Sequence, residues 1–398
     1  MKKLLLGTTA LVGASFAATA AMAAPEVRIG GYLDFQAGFS SQDLSAAGFG
    51  PAPGVPAVTT DRGFGWATDT ELLIRASDKL DNGLAWSVKI ELEADADTVN
   101  PGSNDNADEV SIVFSGSWGQ LTLGNEDGPV DAKNYVGDGQ ITGIGVSGAR
   151  GYRRWTNTKT FTNGLWAAGA DPSNSSDATK IMYYTPTIAG FQAGVSYSAS
   201  NKDNGSSRAT DGSGQQTTYA SAPGSFENYW ELGASYDVKV SDDFALGFAA
   251  AATLADADDQ RWNRDIKAWV VSAKAEFGGF TASAGYGDDG KSGQNKALGN
   301  SDVSGYAGAL KYTTGPYVVG VSYMHNSAGA NAGNTNASSV SNTAKYTSDA
   351  FTLGAQYTMG AGLVVYADTW YYTNDSDGVA TTSENTAIGL LIGTRATF

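Results

Sequence analysis

The chain contains no cysteine and one histidine, His325. The first absence removes any disulfide and any cysteine nucleophile, and the two together remove a zinc site built from cysteine or several histidines. Long apolar runs are also lacking. A membrane helix needs roughly 18 or more such residues, and past the extreme N-terminus the longest stretch, near Phe244 to Ala255, falls short. Basic charge is in deficit, with 25 Lys and Arg against 41 Asp and Glu and a formal net charge of −16. Such a surface disfavours nucleic acid and anionic membrane surfaces as partners. A chain of this kind that enters a membrane does so as strands.

At the start, Lys2 and Lys3 precede an apolar run from Leu4 to Phe16 and the small-residue pattern Ala21-Met22-Ala23. This reads as a secretory signal peptide over residues 1–23, with a mature chain 24–398 of charge −18 once its two lysines are removed.

The mature chain alternates. Val27, Ile29, Leu33, Phe35, Ala37 and Phe39 fall on one parity, with Arg28, Tyr32, Asp34 and Gln36 on the other. Near residue 84, Leu84, Trp86, Val88, Ile90 and Leu92 oppose Ala85, Ser87, Lys89, Glu91 and Glu93; near residue 230, Trp230, Leu232, Ala234, Tyr236, Val238 and Val240 oppose Tyr229, Glu231, Gly233, Ser235, Asp237 and Lys239. A period of two over a dozen residues is a strand with one apolar and one polar face. A water-soluble sandwich also alternates, but its strands usually have about five or six residues, whereas a membrane barrel needs about 9 to 11.

Connections alternate as well. Tight turns around Asp81-Asn82-Gly83, Ser241-Asp242, Gly278-Gly279, Gly315 and Gly360-Ala361-Gly362 are interleaved with long polar excursions such as Ser40 to Gly65 and Ser200 to Phe226. The pattern predicts an all-β fold: a sixteen-stranded antiparallel transmembrane β-barrel with short periplasmic turns and long external loops. Strands are expected at 26–40, 66–77, 83–94, 107–116, 119–125, 179–187, 190–200, 226–240, 243–255, 263–277, 280–288, 302–314, 316–326, 342–358, 362–373 and 384–398. Trp66, Trp86, Trp230, Tyr236, Phe277, Tyr317 and Tyr366 lie near strand ends, where headgroup-level aromatics belong.

The opening Glu26-Val27-Arg28-Ile29-Gly30-Gly31-Tyr32, the segment Trp118-Gly119-Gln120-Leu121-Thr122-Leu123-Gly124 and the close Gly393-Thr394-Arg395-Ala396-Thr397-Phe398 resemble general porins of the α-proteobacterial Gram-negative outer membrane. The resemblance implies a homotrimer of barrels embedded in outer-membrane lipids, each barrel passing ions and small hydrophilic solutes without catalysis or cofactor. It also implies that the terminal Phe398 is the signal for the outer-membrane assembly machinery, and that the third long loop, here about 125–179, folds inside as the constriction.

That loop carries Glu126, Asp127, Asp131 and Asp138, then Arg150, Arg153, Arg154 and Lys159. Family constrictions set acidic loop residues across from basic wall residues. The inward-parity charges Arg28, Asp34, Glu71, Arg75, Lys89 and Glu91 would form the wall, and they mix both signs. Two other readings stay open: a substrate-selective channel, for instance for sugars along inward aromatics such as Tyr32 and Tyr229, and a plugged structural or adhesive barrel. The Asp- and Asn-rich interval Glu93 to Ala107 matches in position the loop with which family members latch a neighbouring subunit.

Three local patterns carry less. Gly285-Tyr286-Gly287-Asp288-Asp289-Gly290-Lys291-Ser292 matches a phosphate-binding loop formally, but no amphipathic helix follows and two aspartates intrude, so it reads as an external loop. Asp375, Asp377, Gly378, Thr381 and Glu384 fit a calcium-loop spacing begun by Thr373 in place of an aspartate. Strands on both sides and no flanking helices favour a solvated acidic loop and no cofactor, with a weak structural calcium site there or in the acidic run Asp95 to Glu109 as the alternative. His325 sits at a strand end beside no nucleophile motif and reads as a rim residue.

Overall fold

The computed structural model describes residues 25–44, 63–94, 107–136, 155–156, 173–200, 226–257, 263–294, 296, 302–329, 345–377 and 384–398. Sixteen strands are present: β1 Glu26–Leu44, β2 Phe64–Lys79, β3 Ala85–Glu93, β4 Ala107–Gly116, β5 Gly119–Asn125, β6 Thr179–Tyr184, β7 Phe191–Ser200, β8 Phe226–Ser241, β9 Phe244–Ala257, β10 Ile266–Phe277, β11 Phe280–Gly290, β12 Val303–Thr314, β13 Tyr317–Gly329, β14 Lys345–Gly360, β15 Leu363–Asp377 and β16 Asn385–Thr397. A short helix, α1 Pro129–Ala132, follows β5. Each strand pairs with its sequence neighbours, and β1 pairs antiparallel with β16, which closes the barrel. Closure is what lipid demands, because an open edge would leave backbone groups with no partner there.

The predicted strands match these to within a few residues; β1 runs on to Leu44, and β6 stops at Tyr184. Every short turn joins an even strand to the next odd one. One of the two-residue turns, Gly278-Gly279, has positive φ at both residues (54° and 87°), the geometry that suits strand twist and that a side chain resists. The start of β1 and the end of β16 lie on this short-turned rim: Gly31 and Phe398 exchange two backbone hydrogen bonds, of 3.1 and 3.0 Å. In bacterial barrels this is the periplasmic rim.

Period-two chemistry decides which face is which. Along β16, Asn385, Ala387, Gly389, Leu391 and Gly393 point inward and are buried, while Ile388, Leu390 and Ile392 stand exposed on the outer face. At mid-height the outer surface is apolar, with Phe248, Val271, Leu310, Val319, Phe351 and Leu353 among its exposed residues. A charge at mid-height there would cost about 2–4 kcal/mol. Two aromatic girdles bound this belt. Phe244 with Phe277, Phe280 with Tyr312 and Tyr317 with Tyr357 lie at the short-turned rim, and Trp269 with Tyr286, Tyr197 with Trp230 and Phe64 with Trp66 lie toward the other.

Tyr366 departs from the expected girdle. It points inward, is buried, and donates its hydroxyl to Asp34 at 2.6 Å. Leu391, an apolar residue on the polar parity, has its reason inside as well: it is fully buried in a cluster with Trp370, Tyr372 and Ala387.

Candidate functional site

The inner wall of β1 to β4 sorts its charges by register. Arg28, Arg75 and Lys89 are successive cross-strand partners, and the same row continues through Ser111 and Gly124 to Lys180. On the neighbouring inward rows, Asp34 faces Asp69, Glu71 faces Glu93, and Glu91 faces Glu109. Like charges directly opposite one another cost stability in a sheet. The sequence alone shows these acids on one parity; only the register shows that they meet in pairs.

Partners offset part of the cost. The Tyr32 hydroxyl donates to Glu71 and, at 3.3 Å, to Asp69. Asp34 is fully buried and accepts from Tyr366, from Gln36 at 3.1 Å and from Arg395 at 3.1 Å, while the Arg395 guanidinium lies 4.0 Å from the centre of the Tyr32 ring. Lys89 bridges Glu109 and Glu126, and Ser111 donates to Glu126 at 2.9 Å. Arg75 faces the lumen and is exposed.

The third long connection meets the inner wall on opposite sides. Leaving β5, it lays α1 over β8, where Gly233 leaves room: a Cβ there would lie 2.6 Å from the Pro129 carbonyl oxygen. The Tyr135 amide donates to Ser272 of β10 at 2.9 Å, and Val136 is buried against Gly285 of β11. Nearly half the barrel away, Trp155 packs on Gly38 of β1 and Gly65 of β2, and Trp370 of β15 donates to Thr156 at 2.8 Å. On the return, the Ser173 amide and hydroxyl donate to Asp289 at 3.0 and 2.7 Å. The Ser175 amide donates to Glu231 at 2.7 Å, joined there by the Ser175 hydroxyl and the Val130 amide. Asn174 ties this return to Asp131 at 2.9 Å. Glu231, Asp289, Lys180 and Glu109 are charged, buried wall residues that the sequence alone did not single out. The signal that points to them is an ionisable side chain on the inward parity of its strand.

Among the loop acids, Asp127 is exposed to the lumen beside Glu109 and Asp177, whose carboxylate oxygens and its own lie within 4.8 Å of one another. Enclosure by the barrel interior, then the nearby negative charge of Asp177, Glu126 and Glu231, push the Asp127 carboxyl up to about 6 against the pull of Lys180. Burial lowers the Lys133 ammonium, which donates to Gln192 at 2.6 Å. A second triad, Asp69, Glu71 and Glu93, lies on the wall. Asp138, Arg150, Arg153, Arg154 and Lys159 fall outside the described residues, as do parts of both calcium-loop candidates. His325 bonds Asp349 at 2.9 Å on the outward row at the long-loop rim.

A closed sixteen-stranded antiparallel barrel, apolar outside and charged within, with a connection pinned across its lumen, defines the class of outer-membrane channel. The chain belongs to the Gram-negative porin family, whose signature it matches over residues 7–378. Outer membrane porin protein 32 of Delftia acidovorans is 26% identical over 264 residues, which are 61% of this chain and 67% of that one. An uncharacterized protein of Rickettsia bellii is 25% identical over 82% of this chain and 86% of its own, which fits the α-proteobacterial type. Among solved structures, an anion-selective porin from Comamonas acidovorans superposes with a TM-score of 0.59 at 17% identity, over 94% of this chain and 100% of that one. The trimer form of OmpT from Vibrio cholerae superposes with 0.55 at 14% identity over the same shares. The protein is an outer-membrane porin, a water-filled channel for passive diffusion of ions and small hydrophilic solutes.

Proposed function

We propose that the aperture of this porin is bordered by the loop acids Glu126, Asp127 and Asp131 and by the wall groups Arg75, Lys89 and Glu91, with Asp34 buried behind them under Arg395, and that it prefers cations. The observation that carries this reading is the set of carboxylates stacked as cross-strand partners on β1 to β4, with loop carboxylates brought against them. Lys89 is spent on Glu109 and Glu126, and Arg395 on Asp34, so the local cations are largely neutralised where they stand. A water-filled passage then carries a surplus of negative charge that concentrates cations. In a planar bilayer under a potassium chloride gradient, the reversal potential is expected on the potassium side; a chloride-side potential overturns the assignment.

The preference should also depend on pH. Asp127, held near 6, is neutral below that value and charged above it, so potassium preference is expected to rise between pH 5 and pH 7. Asp127→Asn should flatten that rise while conductance at pH 5 stays within about twofold. An unchanged pH profile in the variant would remove Asp127 from the aperture.

The remaining readings belong to the same proposal. Residues 1–23 are the cleaved signal peptide, the barrel works as a homotrimer in outer-membrane lipid, and no catalysis accompanies transport. Phe398, exposed at the seam, is the residue read by the assembly machinery. The trimer form of a structural relative supports the assembly state.

A further inference from the structure

At the long-loop rim, the described residues that follow β9 and β11 line a recess of about 350 Å³: Arg264, Lys267, Gly290, Lys291, Ser292 and Lys296, with Asp265 the one acid among them. Four cations gathered in one recess run against the composition of a chain with 41 acids and 25 bases. The two connections are fastened together: the Arg264 amide donates to the Gln294 carbonyl at 3.0 Å, and the Lys267 amide donates to the buried Ser292 hydroxyl at 2.8 Å. The acids nearby are engaged. Asp265 accepts from the Ala257 amide at 3.2 Å, and Asp288 accepts from the Tyr286 hydroxyl, also at 3.2 Å. No carboxylate among the described residues pairs with Lys267 or Lys291.

The height of this recess identifies its ligand. Lys267 lies on the outward row of β10, where Val271 and then Trp269 are exposed beneath it, and Trp269 packs on Tyr286 with ring centres 5.6 Å apart. An outward row that passes from apolar to aromatic to cationic in three steps marks the boundary between hydrocarbon and headgroups. Lysine and arginine at that level meet the phosphates of the outer leaflet, and a guanidinium among ammonium groups suits phosphate oxygens. We infer that this recess is a binding site for the phosphate groups of an outer-leaflet lipid headgroup, seated between Arg264, Lys267, Lys291 and Lys296. The Gly290-Lys291-Ser292 segment contributes a lysine and a tight turn, at φ 51° for Gly290.

The test uses the refolded mature protein in detergent micelles, titrated separately with bis-phosphorylated lipid A, dephosphorylated lipid A and inorganic phosphate. Native mass spectrometry reads occupancy. Bis-phosphorylated lipid A is expected to bind at least about tenfold more tightly than the dephosphorylated form, and Lys267→Gln/Lys291→Gln should remove most of that difference. Single-channel conductance equal to that of the unmodified protein certifies that the double variant is folded. Equal binding of the two lipids, or unchanged selectivity in the double variant, overturns the site. Inorganic phosphate that displaces lipid A at comparable affinity overturns the lipid assignment and makes the recess a free-anion site.

Discussion

Glu231→Leu is expected to give a channel that still folds but conducts more, and more noisily, than the unmodified protein. Glu231 is fully buried and receives the Ser175 amide and hydroxyl together with the Val130 amide, so one carboxylate holds both the outgoing and the returning limb of the inner loop. Hydrogen bonds to a charged acceptor contribute about 1.5–3 kcal/mol each, and a buried donor left unpaired costs about 1–3 kcal/mol. None of these bonds belongs to the barrel ladder, so loss of the carboxylate falls on the loop. Glu231→Gln, which keeps one acceptor oxygen, should lie between leucine and the native residue. Single-channel recording decides: a leucine variant with native conductance and native noise would show that Glu231 does not hold the loop.

Gly389→Ala should lower thermal stability, and it should add no further loss once Trp370 has been replaced by alanine. Gly389 and Trp370 are register partners facing the lumen, and a Cβ at 389 would lie 2.0 Å from the indole ring. Trp370 is buried and holds Thr156 of the inner loop, so it cannot swing aside without losing that contact. Overpacking of this kind costs about 1–3 kcal/mol, and Trp370→Ala alone about 3–5 kcal/mol. In the double variant the added methyl occupies space the indole has left, so the two losses should be far from additive. The measurement is the temperature at which the barrel converts to its unfolded mobility on a detergent gel. Additive losses would mean that glycine at 389 answers some other need.

The barrel was largely legible in the sequence because one physical demand, an apolar face toward lipid, writes itself as alternation over every strand. The turns followed from short Gly, Asn and Asp segments. Tyr366 was misplaced for a reason the same rule explains: an aromatic near a strand end suits a girdle unless parity sends it inward, where it meets Asp34. Leu391 broke the pattern because it serves an internal cluster, which strand periodicity cannot anticipate. The candidate site was legible only as a list of inward charges. That Glu71 faces Glu93 and Glu91 faces Glu109 depends on how far β2, β3 and β4 are slid against one another, and a bulge between Glu91 and Leu92 shifts that register. The position of the inner loop came from family resemblance, since its anchors on Glu231, Ser272, Asp289 and Trp370 join residues roughly 50 to 210 positions apart.

The seam between β1 and β16 joins the first strand made to the last. No intermediate length of this chain is free of an unpaired edge: until Asn385 to Phe398 has arrived, Glu26 to Leu44 has no second neighbour. Contacts between such distant segments form slowly, because the whole intervening chain must be brought to order first. The polypeptide therefore has to be kept from closing until β16 is available, and a chain cut before β16 would leave one side of β1 unpaired.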